Sequence, residues 1–258
     1  MRVLVTRPAS QQQNLCDALA QAVFTPTGLP MLEIVAIAHD APAAQLIQKR
    51  IKALGSYQHV IFISANAVEC GMAWVTECWP PSQDTRWPAG LQWYAIGRAT
   101  ALQLASYGVE AVAGASAMNS ETLLMQPGLL SVSGQRILIV RGVGGRETLA
   151  HTLRERGAVV DYCEVYERRS LSYPPGTLQK ILAENSLSVI ANSGETVQAL
   201  LDQAQIEQLC DTLLQLPLVV PGERVAQLAQ QRGFTKVIVA KNASADASVA
   251  ALQTLTTF

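Results

Sequence analysis

The sequence contains an internal repeat that spans most of its 258 residues. The first copy opens at residues 2–7 (RVLVTR) and the second at residues 136–141 (RILIVR). A second pair of segments, 93–97 (WYAIG) and 218–222 (LVVPG), follows in the same order. Two copies of one α/β unit predict two similar bodies with a cleft between them.

Length and composition are those of an ordinary globular protein. A chain of 258 residues suits two domains of roughly 100–150 residues each. Hydrophobic residues make up 49% and charged residues 15%, which excludes disorder and low complexity. The formal net charge of -1 gives no field that attracts polyanions, so we expect no nucleic-acid or membrane partner.

Targeting signals and metal-binding patterns are not found in the sequence. No apolar run approaches the roughly 20 residues of a membrane span. The first predicted strand begins at Arg2, which leaves no room for a signal peptide and predicts a cytoplasmic protein. The 5 cysteines are scattered without a Cys-x-x-Cys pair, and the 3 histidines are isolated, so neither a disulfide nor a metal site is expected.

Short β-branched runs alternate with amphipathic stretches of helical period. This pattern predicts an α/β fold of two similar domains, each with a five-stranded parallel sheet flanked by helices. The predicted strands are 3–6, 32–36, 59–63, 93–96, 110–113, 136–140, 159–166, 187–191, 218–220 and 236–240. The predicted helices are 11–22, 43–54, 67–77, 99–106 and 120–130, with five more beginning near residues 145, 176, 194, 223 and 246. Residues 79–88 are predicted to form a loop insertion.

Two extended segments are too long for ordinary strands of roughly 5–6 residues. They are residues 29–37 and 159–170, which occupy equivalent places in the two copies. Segments of this length could cross side by side between two domains, which would make the domains discontinuous in sequence. Periodicity alone leaves that arrangement open.

Ligands of open parallel sheets bind beyond the carboxyl ends of the strands, where helix N-termini present unpaired N–H groups. Six loops at such places combine glycine, hydroxyl groups and arginine, namely residues 6–8, 63–66, 96–100, 141–146, 192–195 and 221–224. Glycine lets the backbone approach a ligand, and arginine holds a carboxylate or phosphate. The loops therefore favour an acidic ligand, although helix capping and solvated arginines stay open for any single loop.

Other chemistries have weaker support. A dinucleotide fingerprint starting at Gly142 would need glycine at position 147, which is Glu147. The sequence contains neither a phosphate-binding G-x-x-x-x-G-K-[ST] loop nor a G-x-S-x-G elbow. A dinucleotide-dependent oxidoreductase and a bilobal protein that binds a small acid without catalysis stay open as alternatives.

Tyr166 ends the predicted strand 159–166 and is surrounded in sequence by Glu164, Glu167 and Arg168. A phenol at this place could hydrogen-bond a leaving hydroxyl group. With a usual pKa of about 10 it would be a modest proton donor. A tyrosine that only packs in its strand is the alternative.

Four segments in this order resemble the uroporphyrinogen-III synthase family, over nearly the whole chain. They are residues 3–8 (VLVTRP), 94–101 (YAIGRATA), 139–146 (IVRGVGGR) and 163–168 (CEVYER). The resemblance implies a lyase that cyclises hydroxymethylbilane to uroporphyrinogen III, with loss of water and inversion of ring D. It implies no cofactor and no metal, a small-molecule substrate bound in the interdomain cleft, and a monomer.

The resemblance also implies site residues. Tyr166 matches the family's tyrosine that is closest to an acid assisting hydroxyl loss. The candidate substrate-binding residues are Arg7, Ser64, Gly97, Thr100, Arg141, Gly144, Arg146, Ser193 and Arg224. Their arginines would bind substrate carboxylates or shape the loops, and both roles stay open. Ile63 and Asn66 stand where some relatives have Thr and Arg, which makes their loop a less certain contact.

The family's domain arrangement is implied as well. The first strand and helix would pack with the C-terminal half, and two crossing β-strand linkers would join this domain to the other. The expected first domain comprises residues 1–36 and 170–258, and the second comprises residues 37–169.

Overall fold

The computed structural model describes residues 1–80, 87–113, 120–183 and 187–255. The chain separates into two compact units. Unit 1 comprises Met1–Glu33 with Arg169–Phe258, and unit 2 comprises Ile34–Arg168. The two units are defined by their internal contacts, which do not test independent folding. The two folding domains therefore stay a prediction.

The described residues form helices and strands that alternate along most of the chain. The strands are β1 (Arg2–Val5), β2 (Thr25–Gly28), β3 (Leu32–Ala36), β4 (His59–Phe62), β5 (Gln92–Ala95), β6 (Val112–Ala113), β7 (Arg136–Gly142), β8 (Val159–Ser170), β9 (Leu187–Ile190), β10 (Leu218–Pro221) and β11 (Val237–Ala240). The helices are α1 (Gln13–Gln21), α2 (Ala44–Lys52), α3 (Ala65–Cys78), α4 (Arg98–Ser106), α5 (Ser120–Leu124), α6 (Pro127–Leu130), α7 (Thr148–Glu155), α8 (Thr177–Leu182), α9 (Gly194–Ile206), α10 (Cys210–Leu214), α11 (Glu223–Gln231) and α12 (Ala245–Gln253). The α/β class is as predicted.

Unit 1 contains a parallel five-stranded sheet in the order β2-β1-β9-β10-β11. Its inner strand β1 is apolar on both faces, because parallel strands are covered by helices on both sides. Leu4 packs into one buried cluster with Val189, whereas Val3 and Val5 pack into another with Leu15 of α1. These alternating contacts give three layers, with the sheet in the middle.

The strand β2 was not predicted, because the sequence Thr-Pro-Thr-Gly has the composition of a turn. It lies at the edge of the sheet and has a neighbouring strand on one side only, which is where a proline such as Pro26 is tolerated. The prediction of one long extended segment over residues 29–37 is wrong, since β3 covers only Leu32–Ala36. The helix α10 was also not predicted.

Most of a six-stranded sheet lies in unit 2, in the order β3-β8-β7-β4-β5-β6, so the prediction of five strands is wrong for this sheet. The pairs from β8 to β6 are parallel. The edge strand β3 runs antiparallel to β8, because Ile37 N–H donates to the Val165 carbonyl whereas Leu171 N–H donates to that of Met31. The predicted overlong segment 159–170 is confirmed as the single strand β8.

Two helix boundaries differ from the prediction for local reasons. The predicted helix 120–130 is divided into α5 and α6, because Pro127 cannot continue a helix but can begin one. The helix predicted near residue 145 begins at Thr148, because Gly144 and Gly145 adopt positive φ angles of 69° and 99°. Of the predicted loop 79–88, residues 81–86 lie outside the described residues.

Within the described ranges, no helix is long and apolar enough to cross a membrane. The same residues contain no group of three or more His, Cys, Asp or Glu side chains that could hold a metal ion.

Candidate functional site

The carboxyl ends of β4, β5 and β7 lie at one edge of the sheet in unit 2, because these strands are parallel. The loop after β4 carries Ser64, the loop after β5 carries Gly97, and the loop after β7 carries Gly144 and Arg146. Tyr166 lies beside this edge on β8. The structure therefore places the candidates of the second unit on neighbouring elements.

Tyr166 reaches this edge through an irregularity in β8. Arg141 pairs with Glu164, but the next residue, Gly142, pairs with Tyr166, so Val165 is an extra residue in the ladder. Such a β-bulge changes the direction in which the following side chain points. The Tyr166 side chain is packed in the core at 3% exposure, and its hydroxyl oxygen lies 3.2 Å from Ser64 Oγ.

Ser64 is fixed by its role as the N-cap of α3. Its Oγ accepts a hydrogen bond of 3.0 Å from the Ala67 backbone N–H. Because the accepted bond uses a lone pair, the hydroxyl proton of Ser64 is free to point at the Tyr166 oxygen. The N-terminus of α3, a helix of 14 residues, adds a partial positive charge beside the two hydroxyl groups.

Arg141 uses its guanidinium within its own loop. At 2% exposure, Nη1 donates to Glu147 Oε1 over 3.0 Å and Nε donates to the Gly142 carbonyl over 3.3 Å. Nη2 donates to the Gly144 carbonyl, and the group lies 4.6 Å from the Tyr162 ring centroid. These contacts favour loop shaping over carboxylate binding for this side chain.

Glu147 completes that loop from the other side. A hydrogen bond from Tyr162 holds the pKa of Glu147 below its usual range, assisted by the hydrogen bond and charge of Arg141 and opposed by partial burial. The carboxylate is therefore ionised at neutral pH and available to the buried arginine. The turn from Gly142 to Glu147 is thus organised around one charge pair.

The other candidates of this unit differ in accessibility. Gly144 N–H donates to Glu164 Oε1 over 3.2 Å, and Arg146 is exposed. Gly97 precedes α4 with an extended backbone. Thr100 lies in the first turn of α4 at only 4% exposure, so its side chain is packed in the unit.

The carboxyl edge of the sheet in unit 1 carries a second group of candidates. Arg7 Nε donates to Asn192 Oδ1 over 2.7 Å, its Nη2 donates to the Ala243 carbonyl, and burial lowers its pKa. Ser193 is the N-cap of α9 and accepts a bond of 3.1 Å from Thr196 N–H. Arg224 is exposed in the first turn of α11.

Sequence reasoning did not select several residues that contact the candidates, among them Asn192, Gly142 and Arg168. Asn192 orients Arg7, and Gly142 faces the Tyr166 ring. Arg168 Nη2 donates to the Val143 carbonyl over 3.1 Å, and its guanidinium carbon lies 6.0 Å from the Tyr166 ring centroid. The spacing of Arg168, two positions after Tyr166, was a usable signal, because such residues share a face of a strand.

Comparison with known proteins gives one consistent result. Residues 13–250 match the family model described as "Uroporphyrinogen-III synthase HemD". The chain is 34% identical to uroporphyrinogen-III synthase of Escherichia coli K12, over 98% of this chain and 100% of that protein. It is 33% identical to the same enzyme of Salmonella typhimurium LT2, over 98% and 100%.

Solved structures agree at the level of the fold. A mutant uroporphyrinogen III synthase from the extremely thermophilic bacterium Thermus thermophilus superposes with a TM-score of 0.62 at 16% identity, covering 99% of this chain and 97% of the other. Uroporphyrinogen-III synthetase from Helicobacter pylori 26695 gives a TM-score of 0.60 at 16% identity, covering 99% and 100%.

Proposed function

The chain belongs to the uroporphyrinogen-III synthase family, and we propose that it is the lyase that cyclises hydroxymethylbilane to uroporphyrinogen III. The observation that carries this proposal is the contact of 3.2 Å between the Tyr166 hydroxyl and the N-capping Ser64. Both residues belong to the set that the family resemblance assigned. A function in tetrapyrrole biosynthesis also explains the many donors suited to an acidic ligand.

Substrate binding is assigned to groups that are free to face solvent. Hydroxymethylbilane carries eight carboxylates, which the exposed Arg146 and Arg224 can pair with. Backbone N–H groups after Gly97 and Ser193 supply further donors at the starts of α4 and α9. In contrast, the hydrogen bonds of Arg141 hold its own loop, and those of Arg7 tie its loop to the loops after β9 and β11.

Tyr166 is assigned as the acid for loss of the hydroxyl group. As the C–O bond of the substrate breaks, the phenol proton passes to the departing oxygen, which leaves as water. The pyrrole nitrogen supplies the electron pair, and the substrate becomes an azafulvene cation. Ring closure through a spiro intermediate finally releases a proton from the macrocycle, which restores the phenol.

The two neighbours of the phenol suit this role. If Ser64 donates its proton to the Tyr166 oxygen, the phenol proton is left for the substrate. The phenolate formed on transfer is then stabilised by the Ser64 hydroxyl and by the N-terminus of α3. The Tyr166 ring is packed among core residues, so we assign substrate contact to its hydroxyl alone.

A product assay tests the proposed function. Hydroxymethylbilane is incubated with the protein, without added cofactor and with a chelator, and the product isomers are separated by chromatography. We expect uroporphyrinogen III in excess over the isomer I that forms spontaneously. A protein that only binds a small acid would leave isomer I as the product, and that outcome would reject the proposal.

Ser64→Ala is expected to lower kcat by about 3- to 10-fold, because one neutral hydrogen bond to the phenol oxygen is lost. It should also destabilise the fold by about 1 kcal/mol through loss of the helix cap. Steady-state kinetics and thermal unfolding measure the two effects.

The matched control is Ser244→Ala, because Ser244 also caps a helix and accepts a bond from Ala247 N–H over 3.2 Å. We expect a similar loss of stability and an unchanged kcat. Equal kcat values for the two variants would remove Ser64 from the proposed mechanism.

A further inference from the structure

Gly142 lies so close to Tyr166 that a side chain at this position would clash with the tyrosine ring. A Cβ at this position would lie 2.5 Å from Cε2 and 2.6 Å from Cζ of the tyrosine ring. Real Cβ atoms essentially never approach other atoms more closely than 3.0 Å. The backbone at Gly142 does not adopt a positive φ, so space and not conformation requires glycine here.

The contact fixes where the ring can lie. The β-bulge pairs Tyr166 directly with Gly142, which lets the ring rest against the backbone of β7. At the far end of the ring, the hydroxyl meets Ser64. Because the side chain is otherwise buried in the core, a ring displaced from Gly142 cannot keep its hydroxyl on Ser64 without repacking its neighbours.

We propose that Gly142 is a positioning residue for the reaction, acting through Tyr166. The absence of a side chain at position 142 sets the place of the phenol that the proposed function uses as an acid. The inference rests on that proposed function. It adds that the glycine after Arg141 serves the tyrosine of the neighbouring strand, and not only the turn that follows it.

Gly142→Ala is expected to lower kcat by about 10-fold or more and to change KM less, because a shift of the acid affects the chemical step more than carboxylate binding. The loss should not exceed that of Tyr166→Phe. In a Tyr166→Phe background, Gly142→Ala should cost little further activity, since the hydroxyl that it misplaces is already absent.

Gly71→Ala is the matched control for crowding. A Cβ at Gly71 would lie 2.8 Å from Val140 Cγ1 and 3.1 Å from Phe62 Cε1, in the same unit, and its three nearest neighbours do not include Tyr166. We expect this variant to lose stability but to keep the wild-type kcat. The inference is overturned if Gly142→Ala keeps the wild-type kcat, or if it lowers kcat by the same factor with and without the Tyr166 hydroxyl.

A stability cycle covers the case in which Gly142→Ala folds poorly. In a Tyr166→Val background the ring is gone, so Gly142→Ala should cost much less stability than it does in the wild type. If Gly142→Ala lowers the stability equally in both backgrounds, the glycine does not make room for the tyrosine ring. That outcome would also overturn the inference.

The two proposals fail in different ways. If the wild-type protein forms no uroporphyrinogen III, the proposed function fails and the positioning role of Gly142 is rejected with it. If the wild-type protein is active and the effects of Gly142→Ala and Tyr166→Phe are additive, only the positioning role fails.

Discussion

Tyr166→Phe is expected to lower kcat for uroporphyrinogen III formation by roughly 100-fold or more without abolishing turnover. The variant keeps the ring against Gly142 and removes only the hydroxyl beside Ser64. The proton for the leaving hydroxyl must then come from water or from a weaker donor. The residual rate comes from binding and orientation, which do not need the phenol.

Tyr57→Phe is the control for this experiment. Tyr57 is also buried, and its hydroxyl donates to Asp161 Oδ2 over 2.9 Å, but it precedes β4 and so lies at the amino end of the sheet. We expect lower stability with an unchanged kcat. A wild-type kcat for Tyr166→Phe, or an equal loss in both variants, would remove the phenol from the mechanism.

Arg141→Met is expected to destabilise the protein by about 2–3 kcal/mol. Methionine can fill part of the space of the arginine stem, but the Gly144 carbonyl and Glu147 Oε1 lose the donors that Arg141 supplies. The turn that carries Arg146 should then lose its order, and KM for hydroxymethylbilane should rise. Urea unfolding and steady-state kinetics measure the two effects.

Arg146→Met separates loop shaping from substrate binding. Arg146 is exposed, so we expect a change in stability of less than about 0.5 kcal/mol. If Arg146 pairs with a substrate carboxylate, KM should rise with little change in stability. Equal losses of stability in the two variants would contradict the role assigned to Arg141.

The same loop should respond to acid. Because a hydrogen bond from Tyr162 and the pairing with Arg141 lower the pKa of Glu147 in the folded state, the ionised carboxylate contributes stability at neutral pH. That contribution is fully present above the unfolded-state pKa of a glutamate and is lost as the pH falls through the lower folded-state pKa. Glu147→Gln should remove this part of the pH dependence. An identical acid profile in wild type and Glu147→Gln would show that the pair does not stabilise the fold.

The parts of the fold that depend on local sequence could be predicted. The apolar strands β1, β4 and β7 follow from short β-branched runs, and the loops at their carboxyl ends follow from the parallel arrangement. The strand β2 could not be predicted, because its pairing with β1 overrides the turn composition of its own residues. Likewise, the sixth strand of unit 2 depends on where β3 pairs, which periodicity does not encode.

The sequence predicts the members of the candidate site but not the contacts among them. The family motifs selected Tyr166, Ser64 and Arg141, yet nothing local distinguishes an arginine that binds a ligand from one that holds its own turn. That distinction follows from Glu147 and from the burial of the guanidinium. The role of Gly142 depends on a one-residue bulge in the neighbouring strand, which only the register reveals.

The division of unit 1 between the two ends of the sequence has a consequence for biosynthesis. The ribosome completes residues 34–168 before it makes β9, whereas β1 must wait for this partner. The Thr6 hydroxyl, for example, donates to the Ile190 carbonyl across 184 residues. We therefore expect β1 and α1 to stay incompletely buried on the nascent chain until β9 is made, where chaperones can bind them. Pulse proteolysis of ribosome-bound chains of increasing length should protect residues 34–168 before residues 1–33.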